Sequence, residues 1–390
     1  MARRLLNLDL SEEERTILDT VDELCRREIV PVRDELDRNE TFPAAIFESF
    51  RETNVFEAMF DADAGGLGLN PLMPYRIVEI IAEYCAGVAT AFAATTSLAT
   101  MPLKLAGTVE QKEKYMKKLV TGEWLGAFAV TEPDAGSDVL SMTTSARRTG
   151  DRYVLNGTKQ WITNAALADV YLVYARTAPG KGGLSCFIVE KDAPGLTFGR
   201  LEDKLGIRCS HTRQVILTDV EVPAENLVGL KPNRALMLLF NILSHSRTCI
   251  AMLSTGLATG AYKQALICTR ERRQFGQAVI RNQVVQHMLA DMLMKIETAQ
   301  LLAWQAARAV TLADPEAATY VALAKAHASE IAMQVATDAL QLHGGYGYVK
   351  EAPIEKMFRD AKVLAIYEGT TQMLKNQVGD AILRRGAQLS

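Results

Sequence analysis

Tyr153-Val-Leu-Asn-Gly-Thr158 is the stretch on which the fold turns. A β-branched and aromatic run leads into Asn156-Gly157, and Asn-Gly is the pair a type I′ turn accepts most readily because both central residues need positive φ. The stretch therefore reads as a strand entering a hairpin. Three similar runs follow at Val170–Ala175, Leu184–Glu190 and Gln214–Val222, separated by Gly and Pro punctuation. From about Trp124 to Pro232 the chain reads as a small antiparallel sheet or barrel.

On either side the period changes to that of helices. Ser11-x-x-Glu14 and Thr108-x-x-Gln111 are capping boxes, and Gly122 fits a helix stop. Asp63–Pro74 is a Gly/Pro loop between them. Beyond Pro232, Val285, Leu289, Met292, Ile296, Ala299 and Ala303 keep helical spacing, as do Leu323, His327, Ile331 and Val335 before Gly344-Gly345. The fold class is α+β and mainly α. The predicted parts are a helical one over 1–123, a β one over 124–232 and a helical bundle over 233–390.

Bulk properties exclude several functions. The 390 residues are 48% apolar and carry a net charge of −3, which argues against a nucleic-acid partner. The six cysteines form no C-x-x-C, and no histidine lies at metal-ligand spacing, so no metal site is expected and a reducing compartment fits best. Met1 to Leu10 shows no apolar core of a leader. Cys85–Leu103 is uncharged and nearly long enough for a bilayer, but its Ala/Thr content suits a helix buried in protein. Neither G-x-G-x-x-G after a strand, nor a P-loop, nor G-x-S-x-G is present.

Five segments carry candidate chemistry. Phe128-Ala-Val-Thr-Glu-Pro-Asp-Ala-Gly-Ser-Asp138 leaves a strand into a turn rich in small donors, suited to a heterocycle edge or to a capped surface turn. Gly157-Thr-Lys-Gln-Trp-Ile-Thr163 offers a stacking face or a core Trp. Arg270-Glu-Arg-Arg-Gln-Phe-Gly276 joins cations to an aromatic, as a diphosphate and a purine require, or is a solvated helix end. Gln341-Leu-His-Gly-Gly-Tyr-Gly347 exposes bare backbone to a ligand or is a plain helix cap. In Ile366-Tyr-Glu-Gly-Thr-Thr-Gln372, a buried Glu368 would be a usable base.

Taken together, the T-E-P-x-A-G-S-D, G-x-K-x-W-I-T-N, R-x-x-F-G, G-G-x-G and Y-E-G-T segments resemble the acyl-CoA dehydrogenases, in that family's order and from Leu10 to about Leu383. The resemblance implies an N-terminal helical domain, a central β-barrel and a C-terminal four-helix bundle, with subunits in a homotetramer built as a dimer of dimers. It implies FAD held between subunits, which explains the missing dinucleotide fingerprint.

Phe128, Val130, Thr131, Trp161 and Thr163 are then expected around the flavin ring, with Ser137 near flavin and substrate. Arg272, Gln274 and Phe275 are expected to reach the pyrophosphate and adenine of a neighbour's FAD. Gln283, Gln341, Gly344 and Gly345 should line that cofactor, with Thr370 and Gln372 near its phosphates. Arg247, Tyr367 and Gly369 should join Ser137 in binding substrate.

Glu368 matches the family's base. The resemblance implies that it takes the α proton of an acyl-CoA while the β hydride passes to flavin N5, so that the 2-enoyl-CoA results. The thioester oxygen is then expected to accept hydrogen bonds from a ribityl hydroxyl and the main-chain N–H of the base. By the same resemblance, electrons are expected to pass to an electron-transfer flavoprotein. Some relatives carry the base just before an Arg, where this chain has Ser246 ahead of Arg247.

Ser244 replaces a common Asp and leaves a carrier-protein thioester open beside CoA. Ala165 replaces a Gly in the flavin loop. The Cys85–Leu103 helix, as pocket floor, has no Arg, so the acyl group is expected to be uncharged and short or medium, branched or cyclic. A non-catalytic flavin-binding scaffold and an oxidase are the rival readings, and the location expected is the cytoplasm, or the mitochondrial matrix in a eukaryote.

Overall fold

The helices before the sheet are set by their caps. Ser11 Oγ accepts from Glu14 N and the Glu14 side chain accepts from Ser11 N, so the capping box opens α1 (Glu12–Glu28). There follow α2 (Arg33–Arg38), α3 (Ala44–Glu52), α4 (Met73–Tyr84), α5 (Ala86–Ala106) and α6 (residues 109–120). The Thr108/Gln111 box starts α6. This computed structural model describes residues 10–180 and 182–386, with 385 and 386 as backbone only. The absence of a leader, read over Met1 to Leu10, falls almost wholly outside the described residues.

α5 is the Ala/Thr-rich segment, and the apolar window of this helix is 94% buried inside the protein. It widens to a π-helical turn over Ala94–Ala99, where Thr100 N donates to Thr95 O at 3.0 Å. Pro102 lacks the N–H that would bond the Leu98 carbonyl, so the local ladder is already interrupted. Such π turns often mark functional places.

The sheet comprises β1 (Gly126–Ala129), β2 (Ser145–Thr149), β3 (Arg152–Thr163), β4 (Val170–Arg176), β5 (Leu184–Glu190), β6 (Leu196–Phe198) and β7 (Thr212–Pro223). The order is β1-β4-β2-β3-β7-β6, with β5 on β4. Two expectations are corrected here. The sheet is mixed, because β1 pairs β4 in parallel, joined through the intervening strands rather than by a tight turn.

Asn156-Gly157 is not the hairpin turn either. That turn is Gly150-Asp151, between Thr149 and Arg152. Asn156 instead exchanges two hydrogen bonds with Asp219 on β7, both at 2.9 Å. Gly157 sits at a register shift with φ +151°, where a Cβ would come within 2.4 Å of Thr144 Oγ1. Asn-Gly here serves a close approach inside a strand.

Long helices follow: α7 (Ala235–Glu271), then a small hairpin of β8 (Arg273–Gln274) and β9 (Gln277–Ala278), then α8 (Gln283–Thr311), α9 (Ala317–His343), α10 (Pro353–Val363) and α11 (Thr371–Gly386). One apolar cluster runs through both helical parts; a second fills the sheet.

Candidate active site

Ile366-Tyr-Glu-Gly-Thr370 links α10 to α11 through a tight turn. Glu368 has φ +58° and Gly369 φ +96°. A left-handed conformation costs a glutamate roughly 1–2 kcal/mol, so neighbours must hold it. Arg247 Nε donates to the Glu368 main-chain oxygen at 2.7 Å. Lys325 Nζ donates to the Gly369 oxygen at 2.6 Å. Ser246 Oγ donates to Glu368 Oε2 at 2.9 Å. A Cβ on Gly369 would lie 3.0 Å from Arg247 Nη2, so both its φ and this contact call for glycine.

The electrostatics would suit a proton acceptor. Burial pushes the Glu368 carboxyl above the ordinary carboxylate value. Arg247, the Ser246 hydrogen bond and Lys325 pull in the other direction without cancelling it. The main-chain N–H of Glu368 has no acceptor among the described residues. Tyr367 Oη lies 3.5 Å from Thr90 Oγ1 on α5, which brings the turn onto the Ala/Thr-rich helix.

α5 also reaches the sheet. Thr95 Oγ1 accepts from Gly126 N at 3.2 Å, and Asn164 Nδ2 donates to Ala91 O at 3.0 Å. Here lie the residues expected around a flavin ring. Phe128 is half-buried against Tyr174, ring centroids 5.2 Å apart. Val130 is buried, Thr131 and Thr163 are half-buried, and Ser137 is exposed. A bulge between Lys159 and Ile162 throws Trp161 outward, with φ +61° and 59% exposure. Bulges beside sites commonly re-aim a side chain in this way.

The loop under this face is held from below. Lys159 Nζ donates to Val130 O at 3.0 Å and to Glu132 Oε1 at 2.8 Å. Glu132 also accepts from Thr143 N at 2.6 Å and Thr144 N at 2.9 Å. Burial acts to raise the Glu132 carboxyl, but Lys159 and these N–H groups bring it down to about 2.

A second group forms apart from the first. Arg272 Nη1 donates to His343 O at 2.8 Å, and a Cβ on Gly344 would lie 2.8 Å from that nitrogen. Gln274 and Phe275 project on the β8–β9 hairpin, with Phe275 96% exposed. Gln283, Gln341 and Gly345 are exposed nearby in sequence, and Thr370 Oγ1 caps α11 by accepting from Met373 N, with Gln372 exposed beside it. Bare glycine backbone, a guanidinium and an outward-facing ring fit a dinucleotide that is completed by another surface.

Sequence reasoning missed four residues, Ser246, Lys159, Glu132 and Lys325. Ser246 reads in sequence only as a replaced carboxylate, yet it donates to Glu368 from 122 positions away. Lys159 and Glu132 give no spacing signal. Lys325 did leave one, a cation inside the apolar run Val321-Ala-Leu-Ala-Lys325-Ala.

The chain matches the N-terminal domain of acyl-CoA dehydrogenases over residues 11–123, the middle domain over 127–220 and the C-terminal domain over 237–383. It is 40% identical over 378 residues to cyclohex-1-ene-1-carbonyl-CoA dehydrogenase of Geobacter metallireducens, covering 96% of this chain and 99% of that one. Butyryl-CoA dehydrogenase of Megasphaera elsdenii superposes with a TM-score of 0.93 at 36% identity, covering 96% and 99% of the two chains. A chain solved with the electron transferring flavoprotein of Acidaminococcus fermentans superposes at 0.94 and 37% identity, covering 97% and 99%.

Proposed function

The chain belongs to the acyl-CoA dehydrogenase family, an oxidoreductase family whose cofactor is FAD, and from that premise we propose that it converts an uncharged acyl-CoA to the 2-enoyl-CoA with Glu368 as the base. The observation that carries this reading is the Glu368 turn, where a buried carboxylate is held by Ser246 in a left-handed backbone. FAD supplies the acceptor for the β hydride. Glu368 takes the α proton, and its raised proton affinity suits it to a weakly acidic C–H. Its unpaired main-chain N–H is a donor for the thioester oxygen as enolate charge develops. Trp161, Thr131 and Thr163 would hold the ring, and Arg272 and Phe275 the diphosphate and adenine of a neighbour's cofactor.

A homotetramer is part of the proposal. Exposed apolar residues on the C-terminal helices support it, among them Val284 at 66% and Met294 at 59%. An electron-transfer flavoprotein is the acceptor proposed, supported by the likeness to the Acidaminococcus chain. The free state of all six cysteines supports a cytoplasmic location. The divisions near 123 and 232 stand as proposed boundaries.

The test is anaerobic reduction by a panel of thioesters. Butyryl-, isobutyryl- and cyclohexanecarbonyl-CoA include at least one that bleaches the flavin. Glutaryl-CoA is expected to be at least ~100-fold slower than the best of them, because a buried carboxylate without a partner costs about 3–5 kcal/mol. The Cys85–Leu103 stretch has no charge to offer it. Equal rates for glutaryl-CoA would overturn the assignment of the pocket floor.

A further inference from the structure

Lys325 lies about two turns into α9 and is fully buried. Among the described residues its ammonium has one hydrogen-bond partner, the Gly369 carbonyl at 2.6 Å, and no carboxylate at ion-pair distance. Burying an ammonium with so little compensation destabilises a fold relative to an apolar side chain of similar length. Packing therefore does not account for the charge, and its location is informative. The carbonyl it holds belongs to the residue after Glu368, and the carbonyl of Glu368 itself is held by Arg247.

We propose that Lys325 is a positioning residue for the base: with Arg247 it pins two successive carbonyls, and so fixes the left-handed turn that aims both the Glu368 carboxylate and its main-chain N–H. The inference rests on the reading of Glu368 as base. Two peptide planes follow the Glu368 α-carbon, and each has one cationic clamp. With either released, the turn is free to relax from φ +58° toward ordinary backbone.

The clamp also has an electrostatic consequence. Glu368 is faced by Ser246, Arg247 and Cys249 from α7, by Lys325 from α9 and by Tyr367 from its own turn. Of these, Arg247 and Lys325 are the cations, and both favour the carboxylate. In return, burial lowers Lys325 to about 7 while the Glu368 charge raises it, so the two groups sense each other.

The experiment uses FAD-loaded enzyme and the best reductant of the thioester panel, with anaerobic bleaching followed from acid to alkaline pH. Lys325→Met is expected to slow bleaching by ~10–100-fold, as misplacement of a reacting group does. Thioester binding should stay within about 3-fold of wild type, separating placement from binding. The acid limb should move up by about one pH unit, because a neighbouring cation is gone. Lys325→Arg, which keeps the charge, should recover part of the rate and leave the acid limb near that of wild type.

A Lys325→Met profile superimposable on wild type overturns the proposal. Should Lys325→Met not fold, Lys325→Arg decides: an acid limb displaced upward by about a unit overturns it. Glu368→Gln separates the two levels. If that variant is inert while Lys325→Met keeps the wild-type profile, only the positioning role fails; if Glu368→Gln bleaches normally, the base assignment fails and this proposal with it.

Discussion

Glu368→Gln is expected to slow anaerobic flavin bleaching by roughly 10²–10⁴-fold, the range that a positioned base contributes. The substitution is close to isosteric. A glutamine can still accept from Ser246 Oγ, and the bonds from Arg247 and Lys325 go to main-chain oxygens that remain. FAD content and thermal stability should therefore change little, which separates chemistry from folding. In the wild type, burial raises the Glu368 carboxyl, so the rate should fall on the acid side at a pH above the ordinary carboxylate value of 4.5. Below that point the carboxyl is protonated and accepts nothing. Bleaching of Glu368→Gln at the wild-type rate would place the base elsewhere.

Lys159→Met should be the most destabilising of the single changes considered, by about 3 kcal/mol, because it leaves Glu132 a buried carboxylate without its cation, held only by Thr143 and Thr144. Lys159 is fully buried and Glu132 nearly so. The sign with pH is fixed by the carboxylate. Glu132 is held at about 2, below its ordinary value of 4.5, so its contribution is complete above 4.5 and is lost as pH falls through about 2. Without Lys159 the carboxyl loses its main support and protonates at higher pH. Because burial lowers Lys159 to about 8, the comparison belongs below that pH: the stability gap between wild type and variant should be wide at pH 7 and narrower at pH 5, by thermal denaturation at matched FAD. The Val130 carbonyl also loses its donor, so weaker FAD retention should accompany the change. A gap that is the same at both pH values would mean that packing, not charge, is what Lys159 supplies.

What could be read in the sequence depended on the range of the interaction. Capping boxes are local, and both Ser11/Glu14 and Thr108/Gln111 formed as spaced. Helical periodicity sums over many turns, so α8 and α9 were legible, as was the helical–β–helical order. The glutamate in the Tyr-Glu-Gly-Thr segment was legible by resemblance, because its neighbours in sequence are the turn itself.

What the sequence did not show concerns partners distant in sequence. Asn156-Gly157 carries a local hairpin signal, but pairing with β7 and the closeness of Thr144 decide its conformation. The parallel pairing of β1 with β4 depends on strands that lie between them. The outward turn of Trp161 depends on a bulge that composition does not mark. Ser246, Arg247 and Lys325 converge on Glu368 from two other helices, and no spacing rule links positions 246, 325 and 368.

The central claim is dehydrogenation of an acyl thioester by this chain's own residues. Its most direct measurement is a single anaerobic turnover of the FAD-loaded enzyme with butyryl-, isobutyryl- and cyclohexanecarbonyl-CoA, reading flavin absorbance and thioester mass together. At least one of them should bleach the flavin and yield, mole for mole, a thioester two hydrogens lighter. An oxidised flavin and unchanged thioester with every acyl-CoA, in enzyme that retains FAD, would contradict it and favour a flavin-binding scaffold.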